Sequence, residues 1–69
     1  MNKFESISCV EAIARLVEYR FRLDIWISHN ELIDIMTALF GEDEANESVI
    51  FLMKNGKILL TDIYYEPLR

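Results

Sequence analysis

Two apolar runs joined by Asn-Gly stand out in the C-terminal half of the chain. Residues 49–53 (VIFLM) and 58–63 (ILLTDI) lie on either side of Asn55-Gly56. Asn-Gly supplies the two positive-φ residues of a type I′ turn, so the pattern predicts a β-hairpin in which Met53 faces Ile58. Both faces of this hairpin are apolar, whereas a hairpin with one buried face alternates apolar and polar residues. The pattern therefore predicts that a second protein chain covers one face.

A helix is predicted near the N-terminus. Ser8 and Glu11 have the spacing of a capping box, in which the Ser8 hydroxyl accepts from the Glu11 amide, so the helix should start at Cys9. Apolar residues then recur at helical spacing at Val10, Ile13, Ala14, Val17 and Phe21.

The end of this helix is ambiguous. Alternating charges indicate helix as far as about Arg22, but residues 21–27 (FRLDIWI) also alternate with the period of a strand, with only Trp26 out of phase. Aromatic and β-branched residues favour strands. We therefore expect the helix to end at Tyr19 or Arg20 and a short strand to follow, with helix as the alternative.

The second helix has clearer limits. Ser28 and Glu31 form another capping box, and Ile27 can pack on Leu32 as a hydrophobic staple. The pattern predicts a helix over residues 29–40 that ends at Gly41. Its buried stripe should comprise Leu32, Ile35, Met36 and Leu39.

The remaining segments complete an α+β fold. Residues 42–47 (EDEANE) have no apolar periodicity and are predicted to form an exposed loop, with one helical turn as the alternative. Pro67 should end the last strand. The predicted order is helix, strand, helix, strand, strand. We expect one compact domain, residues 1–69, with two helices packed on one face of a short antiparallel sheet.

Composition narrows the classes of function. The 69 residues carry a net charge of −5, which opposes attraction to nucleic acids and to anionic membranes. The single cysteine, Cys9, cannot form an internal disulfide and fits a reducing compartment. The longest apolar run is far shorter than a membrane span, and the N-terminus lacks the apolar core of a signal peptide. The expected location is cytoplasmic.

The residues that could do chemistry lack partners at suitable spacing. His29 is the only histidine, and it follows the Ser28 cap, where exposure is normal. Cys9 is more typical of a small buried apolar residue than of a nucleophile. No triad, metal-ligand spacing or nucleotide motif is present, so we expect no catalysis, no cofactor and no metal.

The acidic residues support an alternative function. A solvated surface is their ordinary interpretation, but carboxylates can also imitate nucleic acid phosphates and occupy a basic cleft in another protein. The acidic surface predicted on this basis comprises Glu31, Asp34, Glu42, Asp43, Glu44 and Glu47.

A second alternative is nucleic acid binding. The order helix, strand, helix, hairpin resembles part of a winged helix, and the resemblance implies that Lys54 and Lys57 stand at the wing tip. A winged helix-turn-helix needs a recognition helix before the wing, and here that place holds the acidic residues 42–47. Their charge has the wrong sign for a phosphate backbone, so nucleic acid is a disfavoured partner.

Protein binding is the function that the sequence favours. Trp and Tyr are enriched at the centres of interfaces, and apolar residues of the hairpin could join them. We expect a homodimer, with a regulatory or inhibitory role of the kind common among small phage or plasmid accessory proteins. The predicted interface, for a second copy or for a host protein, comprises Trp26, Ile50, Leu52, Leu59, Ile63 and Tyr65.

Overall fold

The computed structural model describes residues 7–67. It contains three helices and a three-stranded antiparallel sheet, and so has the α+β class predicted from the sequence. The expectation for residues 1–6, which were taken to lack a signal peptide, falls outside the described part. In chain order the elements are α1 (Cys9–Arg22), β1 (Ile27–Ser28), α2 (His29–Phe40), α3 (Glu42–Lys54), β2 (Ile58–Thr61) and β3 (Tyr64–Pro67).

Helix α1 begins where the capping box predicted. The Glu11 amide donates to the Ser8 hydroxyl over 3.1 Å. The helix continues to Arg22 and ends in a turn in which Asp24 has a φ of 59°. The strand expected from Phe21 to Ile27 is therefore wrong, and β1 is only two residues long. The helical charge pattern was the better guide here, because the alternation over residues 21–27 belongs to a helix end and a turn.

Helix α2 has the predicted limits, 29–40. The Glu31 amide donates to the Ser28 hydroxyl over 3.1 Å, and Leu32 and Met36 are buried. Leu39 is the exception within the predicted buried stripe, since 67% of its surface is exposed. Gly41 ends the helix with a φ of 97°, a conformation that L residues with side chains rarely adopt.

Helix α3 replaces two predicted elements. Residues 42–47 are its first turns rather than a loop, and residues 49–53 are its last turns rather than a strand. The predicted number of two helices is thus too low. The buried side of α3 has helical spacing, with Ala45, Ser48, Val49 and Leu52 packed inward.

Asn55-Gly56 ends α3 instead of turning a hairpin. Asn55 is the C-cap residue, with an ordinary negative φ, and Gly56 follows with a φ of 67°. A positive-φ glycine just after a helix is a common way to satisfy the last carbonyls. The hairpin lies later, between β2 and β3, where Asp62 takes up a φ of 58°. Asp is among the residues that tolerate this region.

The sheet has one face in the core and one face outside. Its strand order is β1-β3-β2, and Tyr65 of β3 pairs with Ile27 on one side and with Leu60 on the other. Ile27 and Tyr65 are fully buried. All three helices pack on these strands or on one another, so they cover the inner face. Residues that alternate with the buried ones, including Tyr64 and Leu59, belong to the outer face.

The element order has a helix, α3, before the hairpin, as the winged-helix alternative raised from the sequence requires. Helices α2 and α3 follow one another across Gly41, α3 stands in the place of a recognition helix, and β2 and β3 form the hairpin after it. The winged-helix alternative placed Lys54 and Lys57 at the hairpin tip, and that placement is wrong. Both residues lie where α3 ends and the connection to β2 begins. The tip instead carries Asp62 and Ile63.

Candidate protein-interaction surfaces

The predicted interface residues divide between core and surface. Leu52 and Tyr65 are only 3% and 1% exposed and belong to the hydrophobic core, which corrects the expectation that they face a partner. Leu52 is on the inner side of α3, and Tyr65 is on the inner face of β3. The other four, Trp26, Ile50, Leu59 and Ile63, are exposed, but Ile50 is on α3 and the rest lie in or beside the sheet.

The acidic residues also divide. Glu31 binds Arg20, whose two terminal guanidinium nitrogens donate to the carboxylate over 3.0 and 3.2 Å. Arg20 also donates to the carbonyl of Ile25, so this pair joins the end of α1 to the start of α2. Asp34 is exposed on α2. None of the ion pairs among residues 7–67 involves the four carboxylates of α3, Glu42, Asp43, Glu44 and Glu47.

We call the solvent side of α3 the α3 face. It has two parts along the helix axis: carboxylates in the first two turns and large apolar side chains in the last two. Ile50 and Phe51 are about half exposed, and Met53 is 39% exposed. The residues of the α3 face are Glu42, Asp43, Glu44, Glu47, Ile50, Phe51 and Met53.

A shallow depression lies between the α3 face and α1. Its volume is about 230 Å³, and its lining includes Glu44, Glu47 and Phe51 of α3 together with Val10 of α1. Two carboxylates, an aromatic ring and an aliphatic side chain therefore border one concavity. The alkyl stem of a Lys or Arg can pack on apolar groups while its charged head reaches a carboxylate. This depression suits a basic side chain from a partner.

A second exposed surface, the outer sheet surface, is apolar and rich in aromatic rings. The Trp26 and Tyr64 rings meet edge to face with centroids 6.2 Å apart, and Phe21 lies 6.3 Å from Trp26 on the other side. Trp26, Leu59 and Tyr64 are exposed on or beside this face, and Glu66 pairs with Leu59 across the strands, so the outer sheet surface comprises Trp26, Leu59, Tyr64 and Glu66.

Several residues of these surfaces were missed in the sequence. Phe51 and Met53 were assigned to a strand, so their place beside the α3 carboxylates could not be foreseen. Ala45, Val49 and Leu52 have helical spacing, which is a signal for α3. The signal is weak because alanine is small and occurs on both buried and exposed faces of helices. Leu23, predicted in a strand, lies in a turn, and Ile25, predicted in the same strand, lies in the connection between that turn and β1.

His29 is fixed by a contact that the sequence did not indicate. Its Nδ1 lies 2.7 Å from the Tyr65 hydroxyl, and its backbone amide donates to the carbonyl of Ile63. Burial raises the pKa of Tyr65, which keeps the phenol protonated and able to donate to Nδ1. His29 thus ties the start of α2 to β3. It borders a cleft of about 280 Å³ with Ser28, whose hydroxyl already accepts from the Glu31 amide, and with Asp62.

Within residues 7–67, no group of three or more His, Cys, Asp or Glu side chains is arranged to hold a metal ion. None of the helices in that range has the length and apolar character needed to cross a membrane.

Comparisons with known proteins give no match. No protein-family model matches the sequence, and neither the curated proteins nor the solved structures contain a significant relative.

Proposed function

We propose that this protein is a non-catalytic accessory domain that binds another protein through the α3 face. The single observation that carries the proposal is the composition of that face. In the position of a recognition helix, α3 presents four carboxylates followed by Ile50, Phe51 and Met53. Carboxylates attract a basic partner, and the apolar residues offer the desolvated contacts that stable interfaces need.

The charges on this side support a protein partner over nucleic acid. The first turns of α3 are acidic, and the hairpin tip carries Asp62 where a wing would approach DNA. Phosphate contacts supply most of the affinity for nucleic acid, and they require cations. The exposed cations Lys54 and Lys57 lie at the far end of α3. These two lysines therefore lie too far along the helix to neutralise the carboxylates of its first two turns.

The depression gives the proposal chemical detail. A Lys or Arg of the partner would lay its stem against Phe51 and Val10 and place its charge between Glu44 and Glu47. The acidic residues of the first turn also interact favourably with the helix dipole. This interaction alone can explain why acidic residues occur at the start of a helix. Glu47 lies beyond that turn, so the dipole does not account for it.

The test compares two variants of equal charge. The variant E42Q/D43N/E44Q/E47Q removes four charges from the α3 face, and E18Q/D24N/D34N/E66Q removes four carboxylates elsewhere. Asn tolerates the positive φ of residue 24. Tagged proteins are used to capture partners from nuclease-treated lysate, and bound proteins are identified by mass spectrometry.

The proposal expects a stoichiometric protein that the wild type and the second variant retain and the α3 variant loses. Affinity should fall at least ~10-fold, which corresponds to about 1.4 kcal/mol. Retention should also weaken as salt is raised, because the contact is charge-assisted. Equal capture by both variants would contradict the role of the α3 face, provided that circular dichroism shows both to be folded.

In a more specific form of this proposal, the protein imitates nucleic acid and inhibits a partner by occupying its nucleic acid site. The acidic part of the α3 face is what favours it, since a basic cleft that binds phosphates would accept these carboxylates. Competition distinguishes the two forms. Duplex DNA or RNA should displace the protein from a partner whose nucleic acid site it occupies, and should leave it in place on any other basic surface.

A further inference from the structure

We infer that two copies of this chain associate through antiparallel α3 helices, so that the acidic start of each helix meets the basic end of the other. The surface is the α3 face, but its occupant is a second copy of the chain rather than the basic protein proposed above. Three acidic residues open α3 and Lys54 closes it, and Lys57 follows three residues later. The helix therefore carries opposite charges at its two ends.

The most exposed side of α3 carries a row of side chains along the helix axis. Glu47, Ile50 and Lys54 are separated by three and four residues, which places them on one line of the helix surface. All three are exposed, whereas Ala45 and Leu52 on the opposite side are buried. The row thus runs from a carboxylate through an apolar side chain to an ammonium group.

The charges of this row have no partner within the described chain. Among residues 7–67, neither the α3 carboxylates nor the lysines at the end of the helix belong to an ion pair. Glu47 and Lys54 are two helical turns apart, about 10 Å along the axis, whereas helical ion pairs form between adjacent turns. In an antiparallel second copy, Glu47 of each chain lies against Lys54 of the other, and the two-fold axis makes the contact twice.

A single register satisfies the charges and the apolar side chains together. Glu47 and Lys54 are equally spaced about the midpoint between Ile50 and Phe51, so the register that pairs the charges also sets Ile50 against Phe51 of the other copy. These two side chains are 52% and 53% exposed. An apolar centre flanked by charged groups is the usual composition of an interface. Parallel helices would instead place like charges and like dipole ends together.

The expected dimer is weak and reversible. Helix α3 has 13 residues, and two helices of this length bury less than the area of about 800 Å² per partner that is typical of stable complexes. The net charge of −5 on each copy also opposes the approach of a second one. A basic partner and a second copy would exclude one another from the α3 face, a consequence that rests on the proposed function.

Exchange of the two charges tests the pairing in the purified protein. Glu47→Lys and Lys54→Glu each bring like charges together, while the double variant E47K/K54E restores both pairs at the wild-type net charge. Asp34→Lys, at an exposed position of α2, is the control that makes the same charge change as Glu47→Lys away from α3. Because all three positions are exposed, the variants should fold, which circular dichroism verifies.

Sedimentation equilibrium over a range of concentrations gives the dissociation constant of each variant. The wild-type mass should rise from 8.1 kDa towards twice that value. Each single α3 variant should raise the dissociation constant at least ~10-fold, and the double variant and Asp34→Lys should stay within ~3-fold of the wild type. An equimolar mixture of Glu47→Lys and Lys54→Glu chains should recover association, because opposite charges then meet in both pairs.

Three results would overturn the inference. The first is a wild type that remains monomeric up to ~1 mM, since a specific contact weaker than this amounts to less than about 4 kcal/mol. The second is a double variant that associates no better than the single ones, and the third is equal weakening by Asp34→Lys and Glu47→Lys. None of these results bears on the capture of a different protein from lysate, so the proposed function can fail or hold independently.

Discussion

The α3 face and the outer sheet surface are both exposed and partly apolar, but they differ in charge. The α3 face combines four carboxylates with Ile50, Phe51 and Met53, whereas the outer sheet surface is mainly apolar and carries a single carboxylate, Glu66, opposite Leu59. The difference bears on the choice of partner. A strongly acidic surface attracts a basic partner, whereas a mainly apolar surface favours a partner with apolar side chains of its own.

The two surfaces also lie on different layers of the fold. The α3 face belongs to the helical layer, and the outer sheet surface is on the opposite side of the strands. Binding at one should leave the other accessible.

The largest change in the free energy of unfolding is expected at the buried side of α3. Leu52 is on the buried side and Ile50 on the exposed side of the same helix. Leu52→Ala should reduce the free energy of unfolding by about 2–5 kcal/mol, because it removes buried methyl groups and leaves a cavity. Urea denaturation followed by circular dichroism measures the change.

Ile50→Ala is the control for Leu52→Ala. Its effect on unfolding should stay within about 0.5 kcal/mol, as for other exposed positions. Equal destabilisation by the two substitutions would mean that residues 49–53 do not have the helical arrangement described for α3. In that case the α3 face would not exist as a single surface.

A smaller effect distinguishes the two sides of β3. Tyr65 faces the core and binds His29, while Tyr64 faces outward. Tyr65→Phe should cost about 0.5–1.5 kcal/mol at neutral pH, the usual contribution of one hydrogen bond. Tyr64→Phe should reduce the free energy of unfolding by less, because the Tyr64 side chain is on the exposed side of β3.

Alkaline pH adds a second readout for the same pair. Burial raises the pKa of Tyr65 above its ordinary value of 10.0, so the unfolded chain loses the phenolic proton first as pH rises. The stabilisation that this group provides is therefore complete below pH 10.0 and decreases above it. Tyr65→Phe should lessen the fall in stability between pH 9 and pH 11, approximately, relative to Tyr64→Phe. Identical pH profiles would show that Tyr65 is not desolvated.

Local signals were enough to predict α2 but not α3. Ser28 and Glu31 form a capping box, and Gly41 supplies the end, so the limits of α2 could be read directly. Helix α3 begins after Gly41, which has no side chain to cap it, and its buried stripe starts with Ala45 and Ser48. The β-branched and aromatic run before Asn55-Gly56 then favoured a hairpin. Packing of α3 on α1 and α2 overrode that local preference.

The assignment of residues 49–53 to a strand also limited which surface residues could be predicted. Trp26, Leu59 and Ile63 were expected to be at an interface, and each is exposed in or beside the sheet. The apolar half of the α3 face could not be assigned, because it depends on helical geometry. The pairing of Glu31 with Arg20 also needed tertiary structure, since eleven residues separate the two in sequence.

Binding to DNA at low salt tests most directly whether the α3 face serves a protein or a nucleic acid. Fluorescence anisotropy of a labelled random duplex, titrated with the wild type at low ionic strength, detects even non-specific binding. We predict no saturable increase, because the carboxylates of α3 and Asp62 stand where phosphates would have to approach. Saturable binding that weakens steeply as salt is added would contradict the account and assign the winged-helix topology to nucleic acid recognition.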